Sequence, residues 1–186
     1  WNYTDHLELF LKRLNGVKDR LLNLLELVKW NANKKYLVEL QSKGVKIMPL
    51  RIVTDEKSMI KGMEELGGDE FIVKPVIGAG AKGLIRFSKT EAPVIIKKIN
   101  EEMILQKFYP EIKEGELSFI FFGGEFSHAI RKTPIPGEIR VQEEFGGIVT
   151  AHNPTEDQLH LAKDAVSCVE WPWLYARVDI VPGIGV

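Results

Sequence analysis

The stretch Phe71-Ile-Val-Lys-Pro-Val-Ile-Gly-Ala-Gly-Ala-Lys-Gly83 decides the fold of this chain. A short apolar run carries Lys74 at its end and leads into a loop that contains Gly78, Gly80 and Gly83. These glycines match the G-x-G-x-x-G pattern of a dinucleotide-binding turn. The residues on either side of the loop decide whether that interpretation is correct.

The residues that follow the glycines argue against a dinucleotide-binding turn. Such a turn leads at once into a helix whose N-terminus faces the pyrophosphate. Here the next four residues are Leu-Ile-Arg-Phe, which favour a strand, and Lys74-Pro75 separates the first strand from the glycines. A Walker A loop is also excluded, because no Gly-Lys-Ser/Thr follows.

Two interpretations of the glycine loop remain open from the local residues. It could be a solvent-exposed hairpin loop that happens to have a lysine beside it. It could instead be a loop between antiparallel strands that closes over phosphates with its N–H groups, with Lys74 adding a positive charge. The local pattern does not separate these two interpretations.

The composition is typical of an ordinary globular protein. Of 186 residues, 45% are hydrophobic and 27% are charged. The formal net charge of -1 gives no overall attraction to nucleic acid or to an anionic membrane, so we expect neither as a partner. No apolar run approaches the ~18–20 residues that span a bilayer.

Cysteine and histidine usage predicts a cytoplasmic protein without zinc. The single cysteine, Cys168, excludes an internal disulfide, and the N-terminal residues do not resemble a signal peptide. The four histidines lack metal-ligand spacing. A homo-oligomer is compatible with this sequence, which does not determine the oligomeric state.

Hydrophobic periodicity predicts a mixture of helices and strands. Helices are expected over residues 4–29, capped at Thr4-Asp5 and divided at Asn15-Gly16, and over residues 95–103. A strand is expected over residues 45–53, interrupted at Pro49. Gly123-Gly124 predicts a hairpin between β-prone runs, and Thr155 is the expected cap of a helix that ends near residue 170.

Several short motifs follow one another between residues 30 and 181. They are Asn31-Ala-Asn-Lys34, Val73-Lys74-Pro75 with its glycine loop, Leu105-Gln106-Lys107-Phe108, Gly115-Glu116, Gly137-Glu-Ile-Arg140-Val-Gln142, Gly146-Gly147 and Arg177-Val-Asp179. Their order resembles the ATP-grasp superfamily, and most closely its branch of bacterial glutathione synthetases and D-cycloserine ligases.

The resemblance implies an α+β protein with the ATP-grasp fold. Two lobes, each with a mostly antiparallel sheet and helices, would hold ATP between them. Residues 1–29 would be a helical remnant of a preceding domain, residues 30–105 the N-lobe with the glycine loop, and residues 106–186 the C-lobe. We expect the C-lobe to be truncated, because the family's remaining metal ligands would lie beyond Val186.

The resemblance also implies which residues bind ATP. Lys34 is similar to the family's first phosphate lysine, although Lys35 is an alternative match one residue away. Lys74 is similar to the second phosphate lysine, and Gly78, Gly80 and Gly83 would cover the phosphates. Gln106, Lys107 and Phe108 resemble the segment beside the adenine, and Glu116 resembles the acid that binds the ribose hydroxyls.

Three further residues would carry the chemistry and the metal. Arg140 and Gln142 resemble the family's catalytic Arg-x-Asn pair, with Gln in place of the usual Asn, and Arg140 would neutralise the transferring phosphoryl group or a substrate carboxylate. Asp179 resembles a magnesium carboxylate. Judged only from the sequence, Asp179 could instead be an ion-pair partner of Arg177, which lies on the same strand face.

The resemblance implies an ATP-dependent ligase that forms C–N bonds. It would use ATP and Mg²⁺ to join small-molecule carboxylate and amine substrates through an acylphosphate. An ATP-grasp kinase acting on a small molecule is an alternative, since it needs the same phosphate-binding residues. A nucleotide-binding module without chemistry of its own is a further alternative.

Overall fold

The computed structural model describes residues 3–186. Its helices are α1 (Leu7–Asn15), α2 (Leu25–Ala32), α3 (Tyr36–Ser42), α4 (Glu56–Leu66), α5 (Ala92–Ile96) and α6 (Glu156–Ser167). Its strands are β1 (Leu50–Val53), β2 (Glu70–Pro75), β3 (Ile85–Ser88), β4 (Met103–Lys107), β5 (Glu116–Phe122), β6 (Glu125–Thr133), β7 (Ile148–His152) and β8 (Tyr175–Ile180). Within residues 3–186, no helix has both the length and the apolar character needed to cross a membrane.

Residues 48–110 form one compact unit around a four-stranded antiparallel sheet. The strand order is β1-β4-β2-β3, so β4 lies between β1 and β2. One face of this sheet packs against α4 and α5 through a buried core that includes Met59, Phe71, Val73, Phe87 and Leu105. The other face therefore carries the alternate residues of the same strands.

Residues 1–47 and 111–186 form the second compact unit around another four-stranded antiparallel sheet. Its strand order is β7-β6-β5-β8, and α6 contacts β8. Leu117 and Phe119 on β5 and Ile180 on β8 are among its buried apolar side chains. The fold is thus α+β with two antiparallel sheets, as predicted, while the domain boundaries at residues 29 and 105 stay a prediction.

The hairpin of β5 and β6 turns at Gly123-Gly124, as predicted, but its register is shifted once. Phe122 pairs with Glu125 and Phe121 with Phe126, whereas Ile120 pairs with His128 because a β-bulge adds one residue on β6. The shift carries through to the far end of the hairpin, where Glu116 pairs with Lys132. A bulge of this kind re-aims every side chain beyond it.

Some predicted elements differ from those observed. Helix α1 begins after His6 without a side-chain cap, so the prediction of Thr4-Asp5 as cap is wrong, and the next α-helix begins only at Leu25. The helix predicted over residues 95–103 is wrong, because α5 ends at Ile96 and Met103 already belongs to β4. The strand predicted over residues 45–53 is limited to β1, after Pro49.

The cap of the last helix is confirmed. The Thr155 side chain accepts a hydrogen bond from the Gln158 backbone N–H, and the Gln158 side chain accepts one from the Thr155 N–H, which together form a capping box. His152, at the end of β7, also contacts Gln158 Oε1 at 3.0 Å. Strand β7 itself was not expected from the sequence.

Candidate functional site

The glycine loop connects two antiparallel strands, β2 and β3, in the unit of residues 48–110. Gly80 and Gly83 have positive φ values of 59° and 74°. A side chain at Gly83 would place its Cβ 2.9 Å from Pro75 Cγ, so the loop returns closely over the end of β2. The predicted strand–loop–strand arrangement is confirmed, and the helix that a dinucleotide-binding turn needs does not follow.

Lys74 and Gln106 lie on the same face of this sheet. Lys74 pairs with Ile104, and Gln106 pairs with Ile72, so the four residues share the face opposite to the one that packs on α4. Gln106 is buried. The Lys107 side chain lies on the opposite face, beside Gly68, where an added Cβ would be 3.0 Å from Lys107 Cε.

Phe108 is buried directly after β4. The Arg86 guanidinium lies 3.8 Å from the centre of the Phe108 ring, and Arg86 also donates two hydrogen bonds to Glu70, at 2.8 and 2.7 Å. The Phe108 backbone N–H donates to the Glu70 carbonyl at 2.9 Å. The ring of Phe108 is thus already packed against a cation, and its predicted place beside an adenine stays a prediction.

The other unit carries a charged cluster on one face of its sheet. The cluster consists of Glu116, Ser118, Lys132, Arg177 and Asp179. The register places Glu116 opposite Lys132 and Ser118 opposite Asp179, while Arg177 lies two residues before Asp179 on β8. Two predicted site residues, Glu116 and Asp179, are therefore brought together.

Asp179 is the centre of this charged cluster. Its Oδ1 accepts a 2.5 Å hydrogen bond from Ser118 Oγ and lies 3.4 Å from Lys132 Nζ. Its Oδ2 accepts from Arg177 Nε at 3.2 Å and Nη2 at 2.8 Å. The ion pair with Arg177, which the sequence left open as an alternative to a magnesium role for Asp179, is present, and the magnesium role stays a prediction. Lys132 Nζ also forms a salt bridge with Glu116 Oε1.

Burial and charge perturb two acidic groups in and beside the cluster. Burial raises the pKa of Glu116, the Asp179 carboxylate raises it further, and Lys132 opposes both effects. Burial, followed by the Asp179 carboxylate, raises the pKa of Tyr36 to about 12. Tyr36 begins α3, so the start of that helix lies within electrostatic reach of the charged cluster.

The two candidate phosphate lysines lie in the turn before α3. Asn33 Oδ1 accepts a hydrogen bond from the Lys35 backbone N–H at 3.0 Å, and the Lys34 carbonyl accepts from the Leu37 N–H at 3.1 Å. These bonds hold the backbone of the turn between α2 and α3. They do not distinguish Lys34 from Lys35 as the phosphate ligand.

Arg140 and Gln142 lie in the segment between β6 and β7. Arg140 Nη2 donates to Glu138 Oε2 at 2.5 Å, and the guanidinium lies 3.7 Å from the centre of the Phe145 ring. Gln142 Oε1 is buried and accepts no hydrogen bond from the described residues. At Gly147 an added Cβ would lie 2.1 Å from the Val141 carbonyl oxygen, so this position excludes any side chain.

Two members of the charged cluster, Lys132 and Ser118, were not predicted from the sequence. An unshifted hairpin would place Arg131 opposite Glu116, and the bulge replaces it with Lys132. Arg131 instead pairs with the buried Leu117 and donates to the Glu114 carbonyl at 2.6 Å. For Ser118, the sequence did carry a signal, because the alternation of side chains along a strand places it on the same face as Glu116.

The charged cluster supplies only some of the ligands that a Mg²⁺ ion needs. Residues 3–186 hold no group of three or more His, Cys, Asp or Glu side chains placed for a metal. Mg²⁺ binds through one or two carboxylates together with phosphate oxygens and waters. The carboxylate of Asp179 fits that chemistry, but both its oxygens already accept contacts from Ser118, Lys132 and Arg177.

Two antiparallel four-stranded sheets with helices, and a glycine loop beside a strand lysine, define an ATP-grasp fold. Residues 34–183 match the family model of the prokaryotic glutathione synthetase ATP-grasp domain. The chain belongs to this family, in agreement with the resemblance seen in its motifs.

Two curated proteins are similar to this chain in sequence. The cycloserine biosynthesis protein DcsG of Streptomyces lavendulae is 26% identical in a match that covers 94% of this chain and 64% of DcsG. The glutathione synthetase of Bordetella parapertussis is 29% identical over 119 residues, which cover 60% of this chain and 37% of that protein. The chain thus spans less than two thirds of the length of either relative.

Solved structures agree on the fold. The crystal structure of the D-cycloserine synthetase DcsG superposes with a TM-score of 0.85 at 26% identity, over 98% of this chain and 69% of that one. A D-alanine–D-alanine ligase from Bacillus anthracis complexed with ATP gives a TM-score of 0.63 at 18% identity, over 83% of this chain and 52% of that one. The second likeness shows the fold alone.

Proposed function

We propose that this chain is the ATP-binding core of a ligase that joins a small-molecule carboxylate to an amine, using ATP and Mg²⁺. The observation that carries the proposal is the family match over residues 34–183, which includes every proposed site residue from Lys34 to Asp179. The relatives are named as glutathione synthetases and as a cycloserine biosynthesis protein. The ligation of a carboxylate to an amine is the chemistry that the resemblance to the ATP-grasp ligases implies for this chain.

In this proposal the chain's cations neutralise the phosphates. Lys74 is fixed on β2 next to the glycine loop, whose N–H groups would hold the phosphate oxygens. Lys34 would add a second positive charge. Arg140 would neutralise the phosphoryl group in transfer or a substrate carboxylate. Positioning and charge neutralisation account for most of the catalysis in phosphoryl transfer.

The remaining proposed contacts concern the nucleoside and the metal. Gln106, Lys107 and Phe108 would lie along the adenine, and Glu116 would bind the ribose hydroxyls. Asp179 would contribute a carboxylate oxygen to Mg²⁺, which neutralises phosphate charge when bound. Gln142, whose buried Oε1 lacks a donor among the described residues, has an acceptor available for a substrate N–H.

The proposed reaction has two steps. A carboxylate oxygen of the substrate attacks the γ-phosphorus, the bond to the β-phosphate oxygen breaks, and ADP leaves. The amine nitrogen then attacks the acyl carbon of the acylphosphate, phosphate leaves, and the nitrogen loses a proton. ADP formation that depends on an added amine would support a ligase, whereas ADP formation with a phosphorylated product and no amine would indicate a kinase.

Nucleotide binding tests the proposal directly. We expect ADP with Mg²⁺, at about 100 times its dissociation constant, to raise Tm by about 5–10 °C, because ligand binding to the folded state alone stabilises it. Lys74→Ala should remove most of this shift. Lys61→Ala, which changes an exposed lysine on α4 of the same unit, is the matched control and should keep it.

Two results would contradict the proposal. The first is an unchanged Tm at millimolar ADP or ATP with Mg²⁺. The second is a Lys74→Ala variant that responds to nucleotide like the unmodified chain. A Tm shift with NAD but not with ATP would restore the dinucleotide interpretation of the glycine loop.

A further inference from the structure

Arg86 lies on the same sheet face as the proposed phosphate lysine. It pairs with Ile72 across β3 and β2, and Ile72 pairs with Gln106 across β2 and β4, so these three residues form one row on that face. Lys74 lies on the same face two residues further along β2, and diagonal neighbours of this kind in a sheet are about 7–8 Å apart. Arg86 was not among the site residues expected from the sequence.

The two ends of this sheet face suit different parts of a nucleotide. The glycine loop leaves β2 after Pro75, and Glu70 lies at the other end of β2, where its carbonyl accepts a hydrogen bond from the Phe108 N–H at 2.9 Å. The stretch of β2 from Glu70 to Lys74 is about 13 Å long at the ordinary rise of a strand. A nucleotide that lies along β2 with its phosphates at the glycine loop would therefore carry its base towards Arg86.

The Arg86 guanidinium is held by two neighbours in the same unit. Its Cζ lies 3.8 Å from the centre of the Phe108 ring, which is buried. Its Nη2 donates to both carboxylate oxygens of Glu70, at 2.8 and 2.7 Å. The Arg86 side chain is nevertheless 34% exposed. Because the ring covers one planar face of the guanidinium, the opposite face is the one open to a ligand.

These contacts suit Arg86 for stacking on a ring more than for binding an anion. Its charge is already paired with the Glu70 carboxylate, whereas a guanidinium plane can stack on an aromatic face on either side. Glu70 and Phe108 orient the plane before a ligand binds, which lowers the cost of ordering a long side chain. The Phe108 ring itself is only 4% exposed, so it offers a ligand little surface of its own.

We infer that Arg86 is the surface on which the adenine base stacks, with Phe108 supporting the guanidinium from the other side. The inference rests on the proposed function, since it takes ATP or ADP as the ligand. It refines the proposed place of Phe108, whose ring would meet the base only through Arg86. The planar guanidinium, and not its charge, is the feature that contributes affinity for the base.

Nucleotide titration of the 186-residue chain tests this inference. The dissociation constant of ADP with Mg²⁺ is measured by isothermal titration calorimetry, and that of inorganic tripolyphosphate by its competition with ADP. We expect Arg86→Lys to weaken ADP binding by about fivefold or more, because an ammonium keeps the charge but has no plane to stack. Tripolyphosphate has no base, so its dissociation constant should stay unchanged in this variant.

Arg51→Lys is the matched control for Arg86→Lys. Arg51 lies in the same sheet and also pairs with a carboxylate, Glu65 Oε2 at 2.5 Å. It stands opposite Leu105, however, and therefore on the face that packs against α4. Both dissociation constants should stay unchanged in this control, and circular dichroism of each variant reports whether it is folded.

Arg86→Ala removes the plane and the charge together. It should weaken ADP binding at least as much as Arg86→Lys, because both variants lack the stacking plane. If Arg86→Ala does not fold, Arg86→Lys still decides, since its ammonium can keep the ion pair with Glu70.

The outcomes distinguish this inference from the proposed function. A folded Arg86→Lys variant that binds ADP as tightly as the unmodified chain would overturn the inference, because the charge would then be sufficient. Equal losses for ADP and tripolyphosphate would also overturn it, because Arg86 would then act on the phosphates. If tripolyphosphate does not compete with ADP, the ADP constants of Arg86→Lys and Arg51→Lys decide. Absence of ADP binding to the unmodified chain would instead overturn the proposed function.

Discussion

Glu138 fixes the position of Arg140 through several bonds at once. Its Oε2 accepts from Arg140 Nη2, and its Oε1 accepts from the backbone N–H groups of Ile139 and Arg140 at 2.8 and 3.1 Å. Phe145 covers the guanidinium from one side. In its proposed role, an arginine held in this way would be oriented before a substrate binds, which would lower the cost of aligning it.

The bonds to Glu138 give the stability of the chain a defined dependence on pH. The hydrogen bond from Arg140, together with two backbone N–H groups, lowers the pKa of Glu138 from 4.5 to about 2. A lowered carboxylate pKa contributes stability above pH 4.5, and this contribution is lost as the pH falls towards 2. We expect the Tm difference between the unmodified chain and Glu138→Gln to be constant from pH 7 to 5 and to narrow below pH 4.5.

Arg140→Gln provides the matched comparison for this pH dependence. It removes the main cause of the lowered pKa while leaving Glu138 in place. The double variant should lose little more than either single variant, because both remove the same interaction. A Tm difference that does not change with pH would show that these bonds do not lower the pKa of Glu138.

The sequence indicated one partner of Asp179, as an alternative to a magnesium role, but not the other two. Arg177 lies two residues away on the same strand, so alternation was sufficient to predict the ion pair. Lys132 reaches Asp179 from a neighbouring strand, and its place depends on the register of a hairpin. Sequence alone gives the register of an ideal hairpin and not the position of a bulge.

Among the elements, α4 packs closely on its sheet because Gly62 has no side chain. A Cβ at Gly62 would lie 2.9 Å from Leu105 Cδ2, 3.4 Å from Arg51 Cβ and 3.5 Å from Val53 Cγ1. We expect Gly62→Val to destabilise the protein by about 1–3 kcal/mol in urea unfolding, because overpacking forces strained side chains or a shift of the helix.

A second valine on the same helix serves as the control for Gly62→Val. Lys61→Val adds a β-branched residue at an exposed position, where it should cost no more than about 0.7 kcal/mol of helix propensity. Valine has a higher helix propensity than glycine, so a loss at Gly62 can come only from packing against β1 and β4. A Gly62→Val variant as stable as the unmodified chain would contradict the expectation.

Local signals predicted some elements and failed for others, for a physical reason. The Gly123-Gly124 hairpin and the Thr155 capping box are defined by adjacent residues, and both were confirmed. Residues 95–103 have a helical pattern, but Met103 begins the strand that pairs with both β1 and β2. Strand β7 shows no alternating burial, so only its pairing with β6 defines it.

For the whole molecule, the two compact units differ in how the chain builds them. Residues 48–110 are continuous, whereas residues 1–47 and 111–186 must come together to complete the other unit. We expect residues 48–110, expressed alone, to unfold cooperatively in urea but with low stability. A domain of about 60 residues buries only about 60% of its unfolded surface, which leaves its stability marginal.

Far-UV circular dichroism during urea titration would test whether this unit folds alone. Phe71→Ala in the same fragment is the matched control, since it removes a fully buried ring from the core of the unit and should abolish the transition. A fragment without a cooperative transition would contradict the expectation. The sequence predicted two antiparallel sheets. It did not predict that one compact unit is continuous in the chain while the other consists of two segments, because that division depends on long-range contacts.

The bulge on β6 affects how the sequence of this protein can evolve or be engineered. The length of the hairpin between Ile120 and His128 determines whether a lysine or an arginine stands opposite Glu116. Deleting one residue at the bulge would exchange these two cations without altering either codon. An insertion or deletion at this bulge therefore changes which cation faces Glu116, and an alignment that ignores the bulge would assign the wrong residue to that position.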